Sequence, residues 1–332
     1  MHARRAARAA PAARAVRDAR ARAASAATHA VAQPQPLRSG QSAVPLAPQL
    51  PASELATLER LLERPNLLVI TGAGASTESG LPDYRGPQGA YTTDKGWRPT
   101  THQEFCQSSA SRQRYWARSF RGWPTMRDAQ PGPAHLALQR LRLQGRVDRL
   151  VTQNVDGLHG KVGDDDVVEL HGSLWRVRCL SCGAESGREE MQERMAELNY
   201  ALPLPKRAAT AGAKASTSRP DGDVEISSAA WESFRVPLCR SCGSDMLKPE
   251  VVFFGDSLDP EVRERAATYA HEAGALLVVG STMRTMSAYR LAAAMAERGK
   301  LIGVLGCGET RVDSLAAHKW EAVVGETLGR LC

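Results

Sequence analysis

Asn66-Leu-Leu-Val-Ile-Thr-Gly-Ala-Gly-Ala-Ser-Thr-Glu-Ser-Gly-Leu-Pro-Asp-Tyr-Arg-Gly86 is the stretch from which the class of this chain can be read. Residues 67–70 are a short, continuous apolar run, the pattern of a strand buried on both faces of a parallel sheet. Residues 71–76 then turn sharply, with two glycines free to adopt positive φ and no bulky side chain to hold a ligand away. Such a turn, opening a helix at Ser76 or Thr77, predicts a seat for phosphate built from backbone N–H groups. Thr77 stands where dinucleotide-binding turns carry a third glycine, so the turn alone would support nothing beyond a tight corner in an α/β sheet. Pro82, Asp83, Tyr84 and Arg85 follow directly and are placed to cover a bound nucleotide.

Working outward, residues 53–64 read as an amphipathic helix with Leu55, Leu58, Leu61 and Leu62 at helical spacing and Ser53 as its cap. Residues 91–98 are polar and aperiodic, and predict a mobile loop beside the nucleotide. Helices are expected over 111–123, 133–144, 259–273 and 288–298, and strands over 148–152, 167–170, 275–279 and 301–305. This alternation predicts a doubly wound, Rossmann-like parallel α/β sheet, interrupted by a small inserted module. The strand ending at Thr152 delivers Gln153, Asn154 and Asp156, and the one ending at Leu170 delivers His171, to the sheet edge where such folds bind ligands.

The module spans roughly 173–248 and contains Cys179-Leu-Ser-Cys182 and Cys239-Arg-Ser-Cys242. Two C-x2-C knuckles, each followed by glycine, supply four thiolates that close a tetrahedral Zn2+ site with no open position, so the metal would be structural. Disulfides are the alternative, and an intracellular chain disfavours them. Between the knuckles, residues 199–232 are Ala/Ser/Pro/Arg-rich and read as a flexible surface insertion.

The segment from Gly72 to Arg85 resembles the first signature of the sirtuins, NAD-dependent protein-lysine deacylases, and the resemblance extends over roughly residues 55–328. It implies a reaction without hydride transfer. The substrate amide oxygen attacks the nicotinamide ribose, nicotinamide leaves, and free lysine and O-acyl-ADP-ribose result. Glu169-Leu-His171-Gly172 matches the catalytic signature and makes His171 the base, with His159 a scaffold residue. By the same resemblance the co-substrate NAD+ contacts Gly72, Ala73, Gly74, Ser76, Thr77, Pro82, Asp83, Tyr84 and Arg85. It further contacts Gln153, Asn154, Asp156, Gly280, Ser281, Thr282, Gly306, Cys307, Gly308 and Val324. Asn154 and Asp156 would lie against the nicotinamide and its ribose; Gly306 stands where the family usually has Asn. Residues 248–256 resemble the acyl-lysine segment, with an unpaired edge over residues 251–255 open to strand addition. Val251, Phe253, Phe254 and Gly255 would take the lysine there. The likeness is closest to class II sirtuins, which include deacetylases, lipoamidases and ADP-ribosyltransferases. Tyr115 and Arg118 have a Tyr-x-x-Arg spacing offset from the pair that reads acidic acyl groups elsewhere in the family, so desuccinylation is not expected.

The net charge of +7 resides in residues 1–50, which hold eight arginines and one aspartate; the remainder is neutral. A nucleic-acid footprint on the folded part is therefore not expected. The leader, rich in Ala and Arg, predicts disorder, and reads either as a mitochondrial transit peptide or as an over-extended start. Residues 51–332 would form the catalytic domain. No apolar run is long enough to span a bilayer, and the expectation is a soluble, monomeric, cytoplasmic protein, or a matrix one if the leader is a transit peptide. A nicotinamide-dependent dehydrogenase would share the sheet, and a zinc-ribbon binding module would share the cysteines. Release of free nicotinamide separates the first from a deacylase, and the neutral surface argues against the second.

Overall fold

The computed structural model describes residues 47–86, 89–93, 96–202 and 219–332. The leader expected to be disordered lies almost wholly outside the described residues, as does the middle of the 199–232 interval. Helix α1 (Ala52–Leu62) leads into β1 (Leu67–Thr71), followed by a 3-10 turn over Ala73–Ser79. Four helices come next: α2 (Ala90–Thr93), α3 (His102–Gln107), α4 (Ser109–Asp128) and α5 (Pro133–Leu143). Then β2 (Arg149–Thr152), α6 (Leu158–Lys161), β3 (Val168–Glu169), β4 (Gly172–Cys179) and β5 (Glu185–Gly187) lead to α7 (Arg188–Leu198). Beyond it lie α8 (Ser228–Glu232), β6 (Leu247–Val251), α9 (Pro260–Glu272), β7 (Ala275–Val279) and α10 (Met286–Glu297). The chain closes with β8 (Leu301–Leu305), β9 (His318–Trp320) and α11 (Val324–Gly329).

All five residues of β1 are buried, and their alternation builds two cores at once. Leu67 and Val69 pack with Leu58, Leu61 and Leu62 of α1 and with Leu138 and Leu141 of α5. Leu68 and Ile70 pack on the other face with Tyr269 and Ala270 of α9 and Leu291 and Met295 of α10. Each fully buried Leu or Ile contributes about 1.5–3 kcal/mol, so both faces of this strand must be covered for the sheet to be stable. The six strands run in the order β3-β2-β1-β7-β8-β9, all neighbours parallel. The order reverses between β1 and β7, and a crevice opens beyond their carboxyl ends.

A second, three-stranded antiparallel sheet, β5-β4-β6, forms the predicted lobe. Strand β4 begins at Gly172, next to His171, and ends at Cys179, so one strand ties the candidate base to the cysteines.

Three expectations change. Pro51 precedes α1 and Ser53 lies inside it, so Ser53 is not the cap. The helix expected over 111–123 is longer, because Ser108 caps it (Ser111 N–H to Ser108 Oγ, 3.1 Å) and it continues through Pro124 to Asp128. Residues 91–93 and 96–98 are not an unpacked polar loop. Trp97 stacks on Tyr84 at a centroid separation of 6.5 Å, Tyr91 leans on Trp97 at 5.0 Å and on Tyr84 at 6.1 Å, and Trp97 is buried.

Candidate active site

The glycine turn is fastened across the gap between β1 and β7. Gly72 N–H donates to the Val279 carbonyl at 3.0 Å, and Gly74 N–H to the Gly280 carbonyl at 2.8 Å. A Cβ on Gly74 would come within 2.7 Å of the Gly280 carbonyl oxygen, and one on Gly72 within 2.6 Å of Ser281 Cβ. Close backbone packing therefore demands both glycines. Their N–H groups are already engaged, so the predicted phosphate seat cannot rest on those two donors. The helical turn also starts earlier than expected, at Ala73.

Above this turn lies a cavity of about 1080 Å³. Gly72, Ala73, Gly74, Thr77, Asp83, Tyr84, Arg85, Gln153, Asn154, Gly280, Ser281, Thr282, Gly306, Cys307, Gly308 and Val324, among the expected nucleotide contacts, all line it. Ser76, Pro82 and Asp156 are not on its wall. Ser76 and Asp156 are nearly fully buried, and the Ser76 hydroxyl donates to Asp156 Oδ2 at 2.7 Å. Asn154 Nδ2 donates to Ser76 Oγ at 3.1 Å and to the Gly72 carbonyl at 3.0 Å. Asp156 also accepts from Leu158 N–H at 2.9 Å. This network braces the wall from behind: a buried carboxylate needs such donors, and here they orient Asn154 toward the cavity.

His171 lines the cavity at the end of β3. Its Nδ1 lies 2.9 Å from the Gln153 carbonyl, and its Nε2 lies 2.8 Å from Ser287 Oγ at the start of α10. Burial pushes its pKa below 6.5, with the Gln153 carbonyl partly opposing, so the imidazole is neutral near pH 7. His159, the competitor, is buried behind the wall, 3.1 Å from Thr71 Oγ1, with burial holding its pKa well below 6.5. It does not line the cavity.

The far half of the cavity is bounded by Val251, Phe253, Phe254 and Gly255, with Tyr115 and Leu174. The segment is less open than predicted. Val251 pairs with Gly172 in β6, and Val252 N–H donates to the His171 carbonyl at 2.9 Å. Phe254 bridges Thr101, its carbonyl accepting from His102 N–H at 2.9 Å. Phe253 packs edge-on to Phe105 and against Tyr115, whereas the Phe254 ring is exposed.

The interval read as a surface insertion is also corrected at its end. Arg219 is 2% exposed, and Pro220, Asp221 and Asp223 line the cavity. Arg118 pairs with Asp223 and donates from Nε to the Val224 carbonyl at 3.2 Å. Pro, Asp and Gly in sequence announce a turn; nothing in their order announces that the turn folds inward. Ser287 and Thr285 also stand at the site, and no spacing in the sequence connects them to His171.

The four cysteine sulfurs lie within 4.8 Å of one another, with two Sγ–Sγ separations of 3.7 Å. Disulfide sulfurs sit about 2.05 Å apart. A tetrahedron of sulfurs 2.3 Å from zinc has edges of about 3.8 Å, so the set fits Zn2+. Both knuckles have the same internal bonds: Gly183 N–H to the Cys179 carbonyl (2.8 Å) and Gly243 N–H to the Cys239 carbonyl (2.9 Å). Both glycines have φ above +70°, which accounts for a glycine after each second cysteine.

A doubly wound nucleotide-binding sheet, with a histidine at its switch-point cavity and a closed four-thiolate lobe, defines the class of protein. The Sir2 family matches residues 72–287, and the chain belongs to it. It is 42% identical over 308 residues to the NAD-dependent protein deacylase SRT2 of Arabidopsis thaliana, covering 90% of this chain and 81% of that protein. It is 44% identical over 288 residues to the human mitochondrial NAD-dependent protein lipoamidase sirtuin-4, covering 86% and 88%. It is 43% identical over 274 residues to NAD-dependent protein deacetylase 3 of Pseudomonas syringae pv. tomato, covering 82% and 93%. Among solved structures it resembles a Sir2 mutant with a p53 peptide and NAD at TM-score 0.64 and 26% identity, covering 84% of this chain and 96% of that one.

Proposed function

We propose that this chain is an NAD+-dependent protein-lysine deacylase that releases nicotinamide, O-acyl-ADP-ribose and free lysine, with His171 as its general base. The observation that carries the reading is a neutral His171 facing one cavity. The glycine turn bounds that cavity on one side and residues 251–255 bound it on the other. NAD+, when bound, supplies the electrophilic ribose carbon and a hydroxyl for His171 to deprotonate. Asn154, held by Ser76 and the Gly72 carbonyl, is the wall residue we assign to orienting the ribose. Asp156 acts through Ser76, one step back from the cavity. Tyr84, Tyr91 and Trp97 hold the cover over the nucleotide half and exclude water.

A peptide main chain would add beside residues 251–255, with its acyl-lysine entering between Phe253, Tyr115 and Leu174. This apolar channel suits long uncharged acyl groups, a lipoyl chain among them, as the name of the human relative suggests. Engagement of Arg118 by Asp223 argues against acidic acyl groups. The resemblance around Tyr115, Arg118 and residues 251–256 supports a class II reading. Four zinc-binding thiolates call for a reducing compartment, either cytoplasm or mitochondrial matrix. Among the described residues no helix is long and apolar enough to cross a membrane.

His171→Ala is the direct test, followed by mass spectrometry of acyl-lysine peptides incubated with NAD+. Deacylation should fall by at least ~100-fold, the range of general-base contributions, while exchange of labelled nicotinamide persists. Loss of both with NAD+ binding intact would refute the base assignment.

A further inference from the structure

We propose that Ser287 is a second catalytic residue, a proton relay between the ribose hydroxyl and His171. The proposal rests on the deacylase reading above and adds a group which that reading does not contain.

A carbonyl oxygen has no proton to give, so the 2.9 Å contact between His171 Nδ1 and the Gln153 carbonyl requires the proton on Nδ1. In the neutral ring Nε2 then carries the lone pair, and the Ser287 hydroxyl donates to it across 2.8 Å. An imidazole nitrogen has a single in-plane lone pair. It is taken, so an incoming hydroxyl meets Ser287 before it meets the base.

Ser287 is held where it can serve this purpose. It lies on the cavity wall, as His171 does, and is the second residue of α10. Thr285, the residue before that helix, donates from Oγ1 to Gln153 Oε1 at 3.0 Å. Gln153 Nε2 in turn donates to Ser281 Oγ at 2.7 Å and to the Thr71 carbonyl at 3.2 Å. Gln153 thus grips His171 through its main chain and the α10 terminus through its side chain. The ring Gln153–His171–Ser287–Thr285 closes on itself and fixes the donor against the base.

The transfer balances. The ribose O–H bond breaks and its proton passes to Ser287 Oγ, as the Ser287 proton passes to His171 Nε2. Ser287 ends as it began, and His171 becomes an imidazolium whose Nδ1–H stays on the Gln153 carbonyl. The ribose oxygen is left with the electron pair with which it attacks. A hydroxyl suits this role because it donates and accepts at once.

Single-turnover formation of O-acyl-ADP-ribose from an acyl-lysine peptide and NAD+ tests the relay in the wild type, Ser287→Ala, Ser287→Thr and His171→Ala. In Ser287→Ala the rate should fall by about 10- to 100-fold, less than the loss in His171→Ala. KM for NAD+ should stay within about twofold, and the ratio of nicotinamide exchange to deacylation should rise. Ser287→Thr, which keeps a hydroxyl, should recover most of the rate. The sharper readout is a proton inventory in H2O/D2O mixtures. Two protons in flight give a curved dependence in the wild type, and Ser287→Ala should make it linear. A wild-type rate in Ser287→Ala, or an unchanged curve, overturns the relay even with His171→Ala inactive. A rate loss in Ser287→Ala explained wholly by lost NAD+ binding overturns it too. Persistence of deacylation in His171→Ala would instead overturn the base assignment, so the two failures are separable.

Discussion

Burial holds the His171 imidazole below pH 6.5, and this has a consequence for rate. The base works when neutral, so it is almost fully competent at pH 7, and protonation disables it only as the pH falls below 6.5. The single-turnover rate should be flat between pH 7 and 8 and fall on the acid side, toward tenfold per pH unit. A limb centred above pH 6.5 would contradict the buried, carbonyl-bonded ring. His171 was legible as the candidate base by its place at a strand end and by its resemblance to a family signature. Its partner was not. Ser287 lies 116 residues further on, and only the approach of α10 to the end of β2 brings its hydroxyl to the ring. Gly74 shows the opposite balance: the residue stands out in the sequence, and the packing that requires it does not. Its hydrogen is needed against a neighbouring carbonyl, which no local turn rule could state.

At the scale of elements, residues 219–223 fold into the wall instead of lying on the surface, and they carry two carboxyl groups with them. Burial raises the Asp221 pKa, and burial together with repulsion from Asp221 pushes that of Asp223 up to about 7, against the pull of Arg118 and Arg219. A carboxyl whose folded pKa lies above its unfolded value stabilises the fold at low pH, and that stability is lost as pH rises toward the folded value. Asp221→Asn keeps an acceptor for Asp223 N–H, which lies 3.2 Å from Asp221 Oδ1, and removes the repulsion. The variant should melt about 2–4 °C above the wild type at pH 8, equivalent to about 1 kcal/mol, with the difference shrinking toward pH 5. A lower melting point at pH 8 would show that the segment needs the charge. The interval containing this element read as a surface insertion because its composition is polar and aperiodic. Arg118, contributed by a distant helix, and Arg219, from within the segment, make burial tolerable, and composition does not encode the pairing with Arg118.

Over the whole molecule, two sheets meet at His171. The six-stranded sheet carries the nucleotide half, and β4 runs from beside His171 to Cys179 in the metal lobe. Removal of zinc by a chelator, or Cys239→Ser, should therefore abolish deacylation while leaving most of the far-UV circular dichroism and measurable NAD+ binding by calorimetry. Loss of all three together would mean that the lobe and the main sheet fold as one unit. Retained deacylation would mean that the lobe does not position β4.

The strands 275–279 and 301–305, the doubly wound class, the two thiolate knuckles and the nucleotide turn were all readable from the chain. Each rests on local chemistry: a continuous apolar run, sulfurs three residues apart, small residues directly after a strand. Folding alone determined that Ser76 and Asp156 stand behind the wall, that residues 251–255 are partly paired, that Asp221 enters the cavity and that Ser287 meets His171. Those outcomes depend on which groups face each other across distant segments, and that is set by the packing of layers and the satisfaction of buried polar groups, which no window of neighbouring residues contains.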